Sequence, residues 1–105
     1  MSAAAVRAPR QTESGFQRQV LRAAAALRWR AYHSWSSIHC VAGFPDLVLV
    51  RPPDVIFAEL KTNAGTVTAA QEAWIDSLSR CPGVSAVVWR PRDWDQIVAV
   101  LRGPA

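Results

Sequence analysis

Apolar residues near the start of the chain follow a helical period. Phe16, Val20 and Ala24 recur every fourth position, which is the spacing of one buried helix face. Thr12 precedes them as a candidate N-cap, and Glu13 follows in the first turn, where the helix dipole favours a negative charge. The pattern predicts a first helix that begins after Thr12.

The next segments are rich in β-branched and aromatic residues, which favour strands. Residues 29–35 alternate in part and predict a first strand, while residues 36–45 contain the serines, glycine and proline typical of a loop. Residues 46–51 and 55–61 are apolar runs on either side of a Pro-Pro pair. We therefore predict that two further strands form a hairpin.

The two prolines also predict the register of this hairpin. They cannot adopt the positive φ angles of a type I′ turn, so a four-residue connection over residues 51–54 places Val50 opposite Val55. Continuing the register sets Val48 opposite Phe57 and Asp46 opposite Glu59. The two carboxylates then lie on one face of the sheet, with their Cβ atoms about 4.5–5.5 Å apart.

The second half of the chain predicts two helices around one strand. Thr68 and Gln71 have the spacing of a capping box at a helix start, and a Pro-Gly pair ends that helix. Residues 84–89 are nearly all apolar, as in a buried parallel strand. Asp93 begins a last helix that ends at Gly103.

The element order α-β-β-β-α-β-α predicts an α/β fold. We expect a mixed four-stranded sheet with helices on its faces and a right-handed crossover between the third and fourth strands. The chain has 105 residues, half of them apolar, which suffices for one core. We place one domain at residues 13–105 and expect the small, basic residues 1–12 to form a flexible tail.

Composition excludes several classes of protein. No apolar run reaches the roughly 18 residues of a membrane span, and the first residues lack the apolar core of a secretory signal. Cys40 and Cys81 are too few for a disulfide framework and lack the spacing of a zinc site. We therefore expect no association with a membrane.

The charge of the chain points to a polyanionic partner. Twelve basic residues against eight acidic ones give a net charge of +4, and 11 of the 12 are arginine. Arg18 and Arg22, one turn apart on the first helix, are candidate phosphate contacts, because arginine binds phosphate in a bidentate manner. Trp35, beside the serine-rich loop, is a candidate contact with DNA. The single lysine, Lys61, follows Glu59 by two residues.

Glu59, Lys61 and Asp46 form the strongest chemical pattern. Residues i and i+2 of a strand share a face, so Glu59 and Lys61 project together, and the hairpin register adds Asp46. Two opposed carboxylates repel unless a cation compensates them, and Mg²⁺ binds one or two carboxylates while keeping waters and phosphate oxygens. Lys61 would orient or deprotonate an attacking water, or stabilise charge on a phosphate. The pattern predicts metal-assisted phosphodiester hydrolysis.

The same residues resemble a known family. The segments resemble the PD-(D/E)xK nucleases, whose core is α-β-β-β-α-β, and within them the VRR-Nuc branch. The stretches that carry the resemblance are Thr12-Glu13, Phe16-Gln17, Tyr32-His33, residues 43–50, residues 57–62, Gly65, Gln71, Trp74 and Trp89-Arg90-Pro91. It implies a restriction-endonuclease-like fold and covers about residues 13–101.

The resemblance also implies roles for individual residues. Asp46, Glu59 and the backbone carbonyl of Leu60 would bind Mg²⁺ or Mn²⁺, and Lys61 would be the catalytic lysine. Glu13 would reach the metal directly or through water, and Gln71 would lie near the active centre. Thr62, directly after the lysine, is a further candidate DNA contact.

Each of these residues also has a purely structural interpretation. Asp46 suits a turn that leads into a strand, and Glu59 and Lys61 suit a solvated strand face. Glu13 can serve only the helix dipole, and Gln71 can serve only the capping box. His33, among aromatic residues, suits packing or a substrate contact better than a metal.

The implied function is a metal-dependent DNA endonuclease that acts on branched, Holliday-junction-like DNA as a homodimer. We expect it in the cytoplasm of a bacterium or a phage-infected host cell. One alternative is a nuclease on flapped, nicked or linear DNA in replication, repair or restriction. Another, of a different class, is a non-catalytic DNA-binding module.

Overall fold

The element order predicted from the sequence is confirmed. A computed structural model of the chain describes residues 12–34 and 41–104. The predicted tail, apart from Thr12, and the candidate DNA contact Trp35 lie outside these residues. The elements are α1 (Glu13–Ala26), β1 (Arg30–His33), β2 (Leu47–Arg51), β3 (Asp54–Leu60), α2 (Ala69–Ser79), β4 (Val84–Trp89), a 3-10 turn (Pro91–Asp93) and α3 (Trp94–Arg102).

The four strands form one mixed sheet in the order β1-β2-β3-β4. β1 pairs with β2 and β2 with β3 in antiparallel fashion, while β3 and β4 are parallel. The predicted pairs Val50–Val55 and Val48–Phe57 are confirmed. The predicted four-residue connection is wrong, because Arg51 also pairs with Asp54 and only Pro52 and Pro53 connect the two strands. The register itself is unchanged, since the ladder gains one pair at this end.

The ladder between β2 and β3 ends one pair earlier than predicted. Its last pair is Leu47 with Ala58, so Asp46 and Glu59 are not a ladder pair. The reason is a side chain: Asp46 Oδ2 accepts a hydrogen bond of 2.9 Å from the Leu60 amide. The carboxylate thus takes the place of a backbone partner at the end of the hairpin.

The first strand is also shorter than predicted. It begins at Arg30 because Arg28 has a φ of 71°, which redirects the chain after α1. Trp29 is buried and donates from its indole nitrogen to the Leu101 carbonyl at 2.8 Å. Trp29 therefore belongs to the core between α1 and α3, and the predicted end of the strand at residue 35 lies outside the described residues.

Helices cover both faces of the sheet. α1 and α3 pack on one face, where their apolar sides and alternate residues of the two central strands form the core (Phe16, Val20, Ala24, Leu47, Leu49, Ile56, Ala58, Leu60, Ile97 and Leu101). α2 packs on the other face through Trp74, which contacts Phe44, which in turn contacts Phe57. In the described part of the chain, no helix is long and apolar enough to cross a membrane.

Arg51 joins the ends of the two helices on the first face. One guanidinium nitrogen donates to the Leu27 carbonyl at 2.8 Å, and another donates to the Arg102 carbonyl at 3.4 Å. The guanidinium carbon also lies 4.5 Å from the centre of the Trp29 ring, which is a cation–π distance. The side chain thus satisfies carbonyls at the carboxyl ends of α1 and α3.

We expect Arg51→Ala to lower the free energy of unfolding by about 2 kcal/mol, since it removes charged hydrogen bonds and a cation–π contact. Arg51→Lys should recover less than half, because an ammonium lacks the planar fork. Urea denaturation measures both, with the exposed Arg30→Ala as the control for loss of charge. Equal effects of Arg51→Ala and Arg30→Ala would show that the bridging contacts contribute nothing.

Candidate active site

Three of the predicted site residues lie together where β2 begins and β3 ends. Asp46 directly precedes β2, Glu59 is the next-to-last residue of β3, and Lys61 directly follows that strand. The amide of Leu60 donates to Asp46, and the amide of Lys61 donates to the Trp89 carbonyl at 3.0 Å. Two neighbouring strands therefore hold the backbone of this segment on both sides.

The carboxyl group of Glu59 is the most enclosed part of the site, since the residue is only 2% exposed. Its Oε2 accepts a hydrogen bond of 2.9 Å from the side-chain amide of Gln71 and lies 3.8 Å from the ammonium nitrogen of Lys61. Its Oε1 is buried and receives no hydrogen bond from any described residue. A buried acceptor without a donor is costly and calls for a further partner.

The electrostatics of the site follow from this enclosure. Burial is the largest cause that raises the pKa of Glu59, and together with the neighbouring negative charge of Asp46 it raises this pKa to about 8. The positive charge of Lys61 opposes this rise, and the negative charge of Glu13 adds to it. The two carboxyl groups are therefore neighbours although they are not a ladder pair, and the amino end of α1 is near enough for Glu13 to act on Glu59.

Gln71 has both of the arrangements that its sequence position suggested. Its side-chain oxygen accepts a hydrogen bond from the Thr68 backbone amide at 2.9 Å. The Gln71 backbone amide donates to the Thr68 hydroxyl at 3.2 Å, which completes a capping box. The oxygen of the side chain is thereby occupied, so the NH₂ group is the part that points to Glu59. The start of α2 thus orients the buried carboxyl group.

The turn before Asp46 is fixed against the same helix. Gly43 has a φ of 82°, and a Cβ atom there would lie 2.5 Å from the backbone of Ala70. Pro45 is fully buried, and the Phe44 ring lies 5.0 Å from that of Trp74 in a T-shaped arrangement. Close packing therefore places Asp46 relative to α2 and to Glu59.

The role of Arg90 was not predicted from the sequence. Its guanidinium donates to the carbonyls of Thr62 and Gly65, at 2.7 and 2.6 Å. The neighbouring Arg92 amide donates to the Asn63 side chain at 3.0 Å. These contacts hold the loop after Lys61, and the family-like segment Trp89-Arg90-Pro91 was the one hint of them in the sequence.

The other candidates have separate positions. Thr62 is half-buried, and its carbonyl accepts from Arg90. Arg18 and Arg22 are exposed on α1 and line a cavity beside α3. His33 is half-buried at the end of β1.

The donor set suits a hard cation. Within residues 12–34 and 41–104, no group of three or more His, Cys, Asp and Glu side chains is arranged to hold a metal. The site instead offers the paired carboxyl groups of Asp46 and Glu59, one of them with an unpartnered buried oxygen. Two carboxylates, with waters in the remaining positions, are ligands that Mg²⁺ commonly uses.

A mixed sheet with an Asp before its second strand and Glu-x-Lys at the end of its third has the architecture of PD-(D/E)xK nucleases. The family model described as the VRR-NUC domain matches residues 6–92. The chain therefore belongs to the VRR-NUC domain family, and its domain is of the nuclease type. The resemblance found in the sequence is confirmed.

A solved structure supports the same fold. It is described as a "VRR_NUC domain protein" and superposes with a TM-score of 0.65 at 24% sequence identity, covering 89% of this chain and 87% of the other. At this level of identity the similarity concerns the fold. No curated protein matches the chain in sequence.

Stability without a divalent cation should depend on the ionisation of Glu59. Its pKa is about 8 in the folded protein and near 4.5 when unfolded, so the unfolded chain loses its proton first. Stability should therefore fall as the pH rises from about 4.5 to 8. Thermal unfolding in EDTA across this range measures the fall, which Glu59→Gln should largely abolish.

The exposed Glu72→Gln is the matched control, since it makes the same change outside the site. It should leave the pH dependence intact. An unchanged profile in the Glu59→Gln protein would contradict the proposed origin of the effect.

Proposed function

We propose that this protein is a Mg²⁺- or Mn²⁺-dependent endonuclease that hydrolyses phosphodiester bonds in DNA. The observation that carries the proposal is the buried Glu59 oxygen, to which no described residue donates, next to the Asp46 carboxyl and the Lys61 ammonium. Fold stability alone does not favour a buried acid beside a second acid, because the charge of one destabilises the charged form of the other. Membership of a nuclease-type family supports the same chemistry.

Asp46, Glu59 and the backbone carbonyl of Leu60 would hold the cation. A divalent cation in such a site polarises a phosphate oxygen and lowers the pKa of a bound water. The protein supplies the orientation of the ligands. Asp46 is fixed by the Leu60 amide and Glu59 by the Gln71 amide, so neither carboxyl group must reorganise when the cation binds.

Lys61 would act on the reacting groups. Its ammonium lies beside Glu59 Oε2, and its side chain is 13% exposed, so it faces the site while still accessible to substrate. From there it can donate a hydrogen bond to a phosphate oxygen or hold an attacking water. Glu13 would contribute negative charge to the same centre. If it contacts the cation, it would do so through a bridging water.

We further propose branched, junction-like DNA as the substrate and a symmetric homodimer as the active form. The proposal rests on the resemblance to small VRR-Nuc nucleases and on the net charge of +4. The chain offers one set of Asp46, Glu59 and Lys61, whereas a two-fold junction requires two paired cuts. Two copies related by a two-fold axis would supply both. The cytoplasm of a bacterium or a phage-infected cell would provide such DNA.

Asp46→Asn and Lys61→Ala should each reduce DNA cleavage by roughly 100-fold or more, because each removes a charge at the reacting phosphate. Binding of DNA in EDTA should stay within about twofold of wild type, since the exposed arginines remain. Gel-based cleavage assays and fluorescence anisotropy measure the two properties. The exposed Asp95→Asn and Arg30→Ala are charge-matched controls, and wild-type cleavage by the Asp46→Asn protein would contradict the metal assignment.

Substrate choice and assembly need a separate experiment. Cleavage rates are measured on a four-way junction, a flap and a linear duplex of the same sequence, once in Mg²⁺ and once in Mn²⁺. Sedimentation gives the mass of the protein in solution. We expect fastest cleavage of the junction and the mass of a dimer. A monomer, or equal rates on all three substrates, would contradict junction specificity, and no metal-dependent cleavage of any substrate would favour a DNA-binding module.

A further inference from the structure

A groove that the nuclease chemistry does not use runs between α1 and α3. It has a volume of about 730 Å³ and opens on the face of the sheet opposite α2. We call it the α1–α3 groove. The residues that line it are Gly15, Arg18, Gln19, Arg22, Ala23 and Trp94.

The described residues give the α1–α3 groove a positive charge. Among them, the ionisable lining residues are Arg18 and Arg22, both exposed, and neither forms an ion pair with another described residue. The two residues are one helical turn apart, which separates their backbone positions by about 6 Å along the axis of α1. Two guanidinium groups in one row suit successive phosphates of one strand, because arginine binds phosphate in a bidentate manner.

Trp94 adds an aromatic surface to this row of charge. It is the first residue of α3 and is half-buried, since part of its ring packs against the core. The ring is thus held in place while it lines the groove. A cationic groove with a fixed aromatic ring is the combination by which proteins bind single-stranded nucleic acid, the bases stacking on the ring.

The α1–α3 groove also begins near the candidate active site. Gly15, at one end of its lining, is two residues from Glu13, whose charge acts on Glu59. Another cavity, about 380 Å³ between α2 and β4, is lined instead by the acidic Glu72 and Asp76. The charges of the two linings therefore favour a polyanion in the α1–α3 groove over the cavity beside α2.

We propose that the α1–α3 groove binds a single-stranded segment of nucleic acid, with phosphates at Arg18 and Arg22 and a base on Trp94. The choice of DNA as the ligand rests on the proposed nuclease function. The segment would be an unpaired strand that extends away from the cleavage site. In a branched or flapped substrate, this contact would position the strand along α1 without taking part in the chemistry.

The test measures the affinity of a fluorescent oligothymidylate in EDTA, where no cleavage occurs. The double variant Arg18→Gln/Arg22→Gln should raise Kd roughly tenfold, and it should reduce the slope of log K against log salt by about 1.4, as for two lost phosphates of a single strand. Arg30→Gln/Arg102→Gln removes the same charge from exposed sites outside the groove and should raise Kd by about twofold or less.

Trp94→Leu tests the stacking contact. It should weaken binding by roughly fivefold or more and leave the salt slope unchanged, because stacking releases no counterions. Thermal unfolding shows whether the Trp94→Leu protein is folded. If it is not, the proposal is tested by the double variant Arg18→Gln/Arg22→Gln, whose substituted residues are exposed. A closed hairpin duplex serves as the competing ligand.

Three outcomes would overturn the proposal. Equal losses of oligonucleotide affinity in the groove double variant and the control double variant would show that binding depends only on net charge. Tighter binding of the hairpin duplex with the same sensitivity to Arg18→Gln/Arg22→Gln would exclude a single-strand site. Displacement of the oligonucleotide by an acidic peptide at equal affinity would indicate a protein partner. Cleavage by the wild-type protein is assayed separately with Mg²⁺, so failure of the nuclease function and of the groove remain distinguishable.

Discussion

Enclosure of the Glu59 carboxyl group is the constraint on which the rest of the site depends. A charged acid in this position would lose its water and face the charge of Asp46, so its proton is retained until the pH reaches about 8. The contacts from the described part of the chain satisfy one of its two oxygens and leave the other without a donor. A cation bound here would displace the proton and bind the oxygen that lacks a donor. Binding of the cation would therefore stabilise the fold, which links fold stability to the proposed chemistry.

The start of α2 shows how one local motif serves both stability and the site. The capping box would form in an isolated helix, since it needs only Thr68 and Gln71. In the folded protein the same hydrogen bonds fix which end of the Gln71 amide meets Glu59. Packing of Gly43 on Ala70 then ties the turn before Asp46 to that helix. The carboxyl groups are therefore positioned by regular elements, which hold geometry better than a long loop does.

Much of this arrangement follows from the sequence, and the remainder has a common cause. Helix periods, the capping box and the hairpin register are local patterns, so the pairing of Val50 with Val55 and the approach of Asp46 to Glu59 could be predicted. The contacts of Arg51 and Arg90 could not, because each arginine bonds to carbonyls that lie at least 24 residues away from it in the chain. The early end of the β2–β3 ladder was missed because periodicity does not show a side chain replacing a backbone partner.

The basic residues consequently have distinct physical roles. Arg51 satisfies two carbonyls with two nitrogens of its planar guanidinium, a task that an ammonium performs poorly, and Arg90 satisfies two carbonyls from one nitrogen. Arg18 and Arg22 leave the same groups exposed, as the proposed phosphate contacts require. Among the described residues, Lys61 is the basic side chain that lies beside Glu59. There a lysine has an advantage over an arginine, because a guanidinium stays protonated whereas an ammonium can exchange its proton. The single lysine thus stands where the proposed hydrolysis would require proton transfer.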